Sequence, residues 1–116
     1  MRHTIILSLV SLLLASCNQD QVDVTLYGSV YDQSTRQPIS NAVIKIENAS
    51  YAGGDYDSYN NYEYYSLKSD SSGQFSLDVG KSAYIVARVS KAGYKKEIVT
   101  EDVVSRKTEL IICLRK

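Results

Sequence analysis

The stretch Val22-Asp-Val-Thr-Leu-Tyr-Gly-Ser-Val-Tyr31 decides the fold class. Val22, Val24, Leu26, Gly28 and Val30 fall on one side of an extended chain, and Asp23, Thr25, Tyr27, Ser29 and Tyr31 on the other. Side chains alternate across a strand, so this pattern predicts a β-strand with one buried face. After it, Asp32 to Ser40 carries turn chemistry, including the only proline, Pro38. A second strand is expected with Ala42, Ile44 and Ile46 facing inward, and a third over Tyr62 to Ser69. Asp70-Ser-Ser-Gly73 reads as a tight hairpin turn, since Asp bonds nearby amides and Gly accepts positive φ. Phe75, Leu77 and Val79 mark a fourth strand, Ile85, Ala87 and Val89 a fifth, and Tyr94 to Thr100 a short sixth. The seventh runs from Thr108 to Arg115. Its apolar run Leu110-Ile-Ile-Cys-Leu114 predicts a central strand in which Cys113 is a small buried hydrophobe. No segment of helical length has a 3.6-residue period. Seven short strands with turns between them predict an all-β, two-sheet sandwich over residues 22–116.

Ahead of the strands lies an address. Met1, Arg2 and His3 are a basic start, Ile5 to Leu14 are apolar except for Ser8 and Ser11, and Ala15, Ser16 and Cys17 follow. This is the layout of a secretory signal. A membrane-spanning helix needs about 20 apolar residues, so the segment is too short to remain as an anchor. Leu14-Ala15-Ser16-Cys17 resembles the lipobox of bacterial lipoproteins. The resemblance implies cleavage after Ser16, lipid on the Cys17 thiol, and a membrane-anchored chain with 17–21 as a lipidated tether. Two or three acyl chains hold stably where one does not.

Composition then narrows the chemistry. The 116 residues hold 13 Lys and Arg against 13 Asp and Glu, so no net field attracts nucleic acid. Loss of residues 1–16 removes His3, the only histidine. The mature chain then has no His-based acid–base pair, triad or His-ligated zinc. With Cys17 acylated, Cys113 is the one remaining thiol, which leaves no disulfide or Cys-rich metal site. The expectation is a non-catalytic protein with no cofactor and no metal.

Three further elements carry a resemblance. They are Gly28-Ser-Val30-Tyr-Asp32 with Thr35, Pro38-Ile39 and Ala42-Val43; Asp70-Ser-Ser-Gly73-Gln-Phe75-Ser-Leu77; and Val89-Ser-Lys-Ala-Gly93-Tyr94. Together, in this order, they resemble carboxypeptidase regulatory-like domains over about Thr25 to Tyr94. The resemblance implies a prealbumin-like or transthyretin-like (Ig-like) β-sandwich, and a non-catalytic module of the kind found in envelope proteins and small lipoproteins of bacteroidete type. Hydroxyisourate hydrolases share that fold but use histidines, which the mature chain lacks. The elements also have plain structural readings: Gly28 admits a close neighbour, Pro38 sets a turn, Phe75 anchors the core, and Tyr94 packs beside the Gly93 turn.

The chain departs from this pattern between the second and third strands. Residues 51–65 hold six of the ten tyrosines: Tyr51, Tyr56, Tyr59, Tyr62, Tyr64 and Tyr65. Tyr with Ser, Gly and Asn is the composition of antibody contact loops, because Tyr offers a large flat area at low entropy cost. Tyr51, Tyr56, Tyr59, Tyr62 and Tyr64 are therefore the candidate ligand-binding residues, for a protein or a glycan. The stretch has Asp55, Asp57 and Glu63 but no Lys or Arg, which argues against a nucleic-acid partner. These acids with Asn60 and Asn61 do not have EF-hand spacing. Against the contact reading stands a longer hairpin that only covers a sheet edge, in a subunit docking to a larger envelope complex. Charge is also uneven: residues 17–80 carry three basic and nine acidic side chains, and residues 81–116 carry nine and four. Lys91, Lys95 and Lys96 cluster around the Gly93 turn, where they either guard a strand edge or meet lipid headgroups or an acidic partner. The expected location is the cell envelope, at the outer membrane.

Overall fold

The structure, a computed structural model, describes residues 20–51 and 61–116. The signal segment, Cys17, Tyr56 and Tyr59 lie outside the described residues. Seven strands form: β1 Gln21–Asp32, β2 Val43–Ser50, β3 Asn61–Lys68, β4 Gln74–Ser82, β5 Tyr84–Ser90, β6 Glu97–Asp102 and β7 Lys107–Leu114. They build a three-stranded sheet in the order β4-β1-β7 and a four-stranded sheet in the order β3-β2-β5-β6. The expected all-β, seven-stranded sandwich is what the chain forms, with no helix among the described residues.

The core lies between the sheets. Val24, Leu26 and Val30 from β1 meet Ile44 and Ile46 from β2, Ile85, Ala87 and Val89 from β5, and Leu110, Ile112 and Leu114 from β7. These are the inward positions of period-two strands, and those on β1, β2 and β5 are the ones read from the sequence. Val22 is the exception, 45% exposed where an inward side chain was expected. Asp23 adopts φ 54°, and the β1–β4 register slips on both sides of Val24. This bulge restarts the alternation at Val24 and turns Val22 outward.

β1 is the middle strand of its sheet, antiparallel to β4 and parallel to β7. A Cβ at Gly28 would lie 2.8 Å from Phe75 Cζ and would collide with the Leu110 carbonyl oxygen. The missing side chain thus lets the Phe75 ring close over β1.

Three expectations need correction. β7 is an edge strand, bonded only to β1, and not a central one. Its apolar run has a different cause. Leu110, Ile112 and Leu114 face the core, while Ile111 and Cys113 face out toward β6, where they share a depression with Val99. The two sheets also approach here, with Lys95 N–H donating to Arg115 O at 2.7 Å. Cys113 is accordingly half-buried rather than buried. Finally, the Asp70–Gly73 turn closes no hairpin. β3 pairs with β2 and β4 with β1, so the turn carries the chain from one sheet to the other. Its local chemistry is as expected: Asp70 Oδ1 accepts the Ser72 and Gln74 N–H groups at 2.9 Å each, and Gly73 sits at φ 73°.

Asp32, at the end of β1, is a buried carboxylate. Its Oδ1 accepts the N–H groups of Ser34 at 2.8 Å and Thr35 at 3.0 Å. Its Oδ2 accepts the Tyr94 hydroxyl at 2.8 Å. Tyr94 therefore does more than flank the Gly93 turn: it ties the β5–β6 connection of one sheet to β1 of the other. The Thr35 amide and the Tyr94 hydroxyl hold the Asp32 carboxyl below its ordinary value, outweighing its desolvation.

Two predictions follow from this packing. Gly28→Ala should destabilise the domain by about 3 kcal/mol in urea unfolding, whereas Ser76→Ala on the exposed face should change it by less than about 0.5 kcal/mol. Because the Asp32 value is depressed on folding, its stabilisation is complete above the unfolded carboxyl value of about 3.9 and disappears as pH falls through the lower folded value. The wild-type melting temperature should thus fall more steeply below about pH 4 than that of Asp32→Asn. Parallel curves would contradict this.

Candidate functional site

The β2–β3 hairpin sorts the tyrosines by face. Tyr62 pairs with Ala49, Tyr64 with Glu47 and Tyr65 with Ile46. Tyr62 and Tyr64 point to solvent, 48% and 71% exposed. Tyr65 points inward and packs against the core. Burial, with the neighbouring Glu63 carboxylate, raises its hydroxyl above the ordinary tyrosine value. Tyr51 is half-buried where β2 ends, and its N–H donates to Asp20 Oδ1 at 3.0 Å. The expected contact set therefore divides. Tyr62 and Tyr64 share one exposed face, Tyr51 sits at the chain-entry pole, and Tyr56 and Tyr59 lie outside the described residues.

The exposed face of the four-stranded sheet extends this pair. Its rows follow from the register: Tyr64, Glu47, Val86 and Thr100 stand side by side, and next to them Ser66, Lys45, Arg88 and Ile98. Tyr64, Glu47, Lys45 and Arg88 border an open depression of about 330 Å³. Lys45 and Arg88 also border a second, of about 220 Å³, with Lys96 and Ile98. Aromatic, cationic and anionic groups thus lie together on a flat, solvent-facing surface. Lys45 and Arg88 were not among the expected contact residues. Their signal was the outward half of the same period-two pattern that identified the core.

The molecule has two unlike poles. At the entry pole, Asn48 is buried, and its amide donates to Lys81 O at 2.9 Å and Glu63 Oε1 at 3.4 Å. Asn61 Nδ2 donates to Ser50 Oγ at 3.2 Å. Asn61 and Glu63 are thus engaged with the hairpin. Among the described residues, no group of three or more His, Cys, Asp or Glu is placed to hold a metal ion. The far pole gathers the β3 and β7 ends and the connections after β1 and β5. It brings together Arg36, Lys68, Lys91, Lys95, Lys96, Arg115 and Lys116. Of its acids, Asp32 and Asp70 are bonded to local amides, and Glu97 opens β6 beside Lys96. Lys116 also lies 5.6 Å from the centre of the Tyr94 ring.

No family model and no curated protein matches the chain. Solved structures do resemble it. One is 3-chlorocatechol 1,2-dioxygenase from Rhodococcus opacus, at TM-score 0.64 and 16% identity, with 84% of this chain and 61% of that one covered. Another is chlorocatechol 1,2-dioxygenase from Pseudomonas putida, at TM-score 0.62 and 12% identity, covering 82% and 61%. A third is the C-terminal domain of the shaft pilin SpaA from Lactobacillus rhamnosus GG, at TM-score 0.58 and 17% identity, covering 82% and 98%. The chain spans about three fifths of the two dioxygenases. At these identities the likeness is one of fold, a β-sandwich shared by proteins of unlike role.

The two faces of β3 predict opposite outcomes for adjacent tyrosines. Tyr64→Ala should change unfolding free energy by less than about 0.5 kcal/mol. Tyr65→Ala should cost about 2 kcal/mol through lost packing. Equal losses in urea titrations would contradict the assignment of faces.

Proposed function

We propose that this chain is a non-catalytic envelope lipoprotein, acylated on Cys17 and anchored in the outer membrane. Its sandwich, of carboxypeptidase regulatory-like kind, acts as a binding module for a protein or glycan partner. One observation carries the reading: Tyr62 and Tyr64 stand exposed beside each other on a sheet face that has no core role. Large exposed aromatics grouped on a surface favour interaction, and Tyr binds with little entropy loss. The position of the chain entry supports it too. Three residue steps separate Cys17 from Asp20, at most about 10 Å. Asp20 is bonded at the entry pole, so an anchor at Cys17 keeps that pole near the membrane and leaves the basic pole distal.

A second reading is an accessory subunit that docks by a sheet edge. It is favoured by β3, which bonds only to β2 and so offers a free edge among the described residues. The likeness to a shaft pilin domain is in keeping with it. Substitution separates the two, because edge pairing uses backbone groups and tolerates side-chain change.

The test uses full-length protein in mild detergent, sedimented with detergent-insoluble envelope material from cells that lack it. The wild type should sediment, and Tyr62→Ser with Tyr64→Ser should remain in the supernatant with an unchanged melting temperature. Equal sedimentation of both would overturn the contact role of the tyrosines. Cys17→Ser should, in addition, move the protein from the detergent phase to the aqueous phase on partition.

A further inference from the structure

We propose that the exposed face of the four-stranded sheet is a groove for an acidic polysaccharide, running from Tyr64 to the basic pole. This rests on the binding-module reading above and names the ligand class and the residues that hold it. A third depression, of about 430 Å³, lies at the far pole between Asn41, Ser90, Lys91 and Lys96. It shares Ser90 and Lys96 with the second depression, which shares Lys45 and Arg88 with the first. The three are therefore one continuous path across the sheet. Strand spacing and rise give it a length of roughly 20 Å. That shape suits an extended chain better than a compact ligand.

The chemistry along the path selects the kind of chain. Lys45, Arg88 and Lys96 are exposed and Lys91 is half-exposed. Among the described residues no carboxylate lies within 4.0 Å of these cations as an ion pair. Four unneutralised cations in a row call for a polyanion. Glu47 stands among them, however, in the first depression. Carboxylates disfavour a polyanion that offers no hydroxyl groups to bond them, such as oligo-dT or polyglutamate. They accept hydrogen bonds from hydroxyl groups, and so do Ser66 and Ser90. A polymer that carries carboxylates or sulfates together with many hydroxyls meets both demands. Tyr64 supplies the flat apolar surface on which the C–H face of a sugar ring rests.

The distal pole adds a geometric argument. With the entry pole held near the membrane, Lys91, Lys96 and the end of the groove point away from it. The surface is thereby available to a polymer lying outside the anchoring leaflet.

The experiment measures binding of the full-length protein, in mild detergent, to polygalacturonate, alginate and chondroitin sulfate. Dextran serves as the neutral control, and polyglutamate and oligo-dT as other polyanions. At 50 mM NaCl the protein should bind at least one acidic polysaccharide at least 10-fold more tightly than it binds dextran, polyglutamate or oligo-dT. Lys45→Ala with Arg88→Ala should weaken that binding at least 10-fold, and 500 mM NaCl should do the same. Tyr64→Ala should weaken it about 10-fold. Arg106→Ala with Lys107→Ala removes the same charge from the entry pole and should leave binding unchanged. Failure to bind all three acidic polysaccharides overturns the proposal. So does equal binding of polyglutamate or oligo-dT, or an equal loss in the entry-pole variant. If acidic polysaccharides fail while tyrosine-dependent sedimentation with envelopes persists, this inference falls and the binding-module reading stands. If both fail, both fall.

Discussion

At Gly28 the Phe75 ring and the Leu110 carbonyl take up the space that a side chain would need. Much of the molecule depends on that contact. β1 is the one strand that bonds to both β4 and β7, and at Gly28 it packs closely against both. The far ends of the same strand are tied down by other means. Near its start, the Asp23 bulge ends the alternation and turns Val22 out. At its end, the Asp32 carboxylate holds its own turn and, through the Tyr94 hydroxyl, the opposite sheet. A small sandwich with no disulfide among its described residues relies on such constraints to keep two sheets in one arrangement.

The inward half of each strand is committed to that core. The outward half is free of it, and the two sheets use their freedom differently. On the four-stranded sheet, Tyr64, Glu47, Lys45, Arg88 and Ile98 make a mixed aromatic and charged surface. On β7, Ile111 and Cys113 are outward and border a depression with Val99 of β6, Cys113 half-buried and Ile111 exposed. A free strand edge invites pairing with another chain, and contact between β6 and β7 blunts that hazard on one flank. The opposite flank, at β3, carries the exposed tyrosines.

Much of this was legible in the amino-acid order. Period-two alternation marked β1, β2, β4 and β5, and the core residues on β2, β4 and β5 are among those it named. What it missed depended on partners in space. The run around Cys113 reads as central by hydrophobicity, because a continuous apolar run does not reveal which of its residues stay exposed. Asp70-Ser-Ser-Gly73 has the chemistry of a hairpin turn, and only strand pairing reveals that it changes sheets. Tyr62 and Tyr64 could be named as candidates, but not distinguished from Tyr65 until the register with Glu47 and Ile46 was known. Lys45 and Arg88 are 43 positions apart in the chain and become neighbours through the β2–β5 pairing.

The central claim is that the four-stranded face, and not the β4-β1-β7 face, is the contact surface. Backbone amide shifts of the isotope-labelled protein, recorded during titration with short polygalacturonate fragments, test it most directly. The account predicts shifts concentrated at Lys45, Tyr64, Arg88, Ser90 and Lys96. Shifts centred on Tyr27, Ser76 and Glu109, on the opposite face, would contradict it.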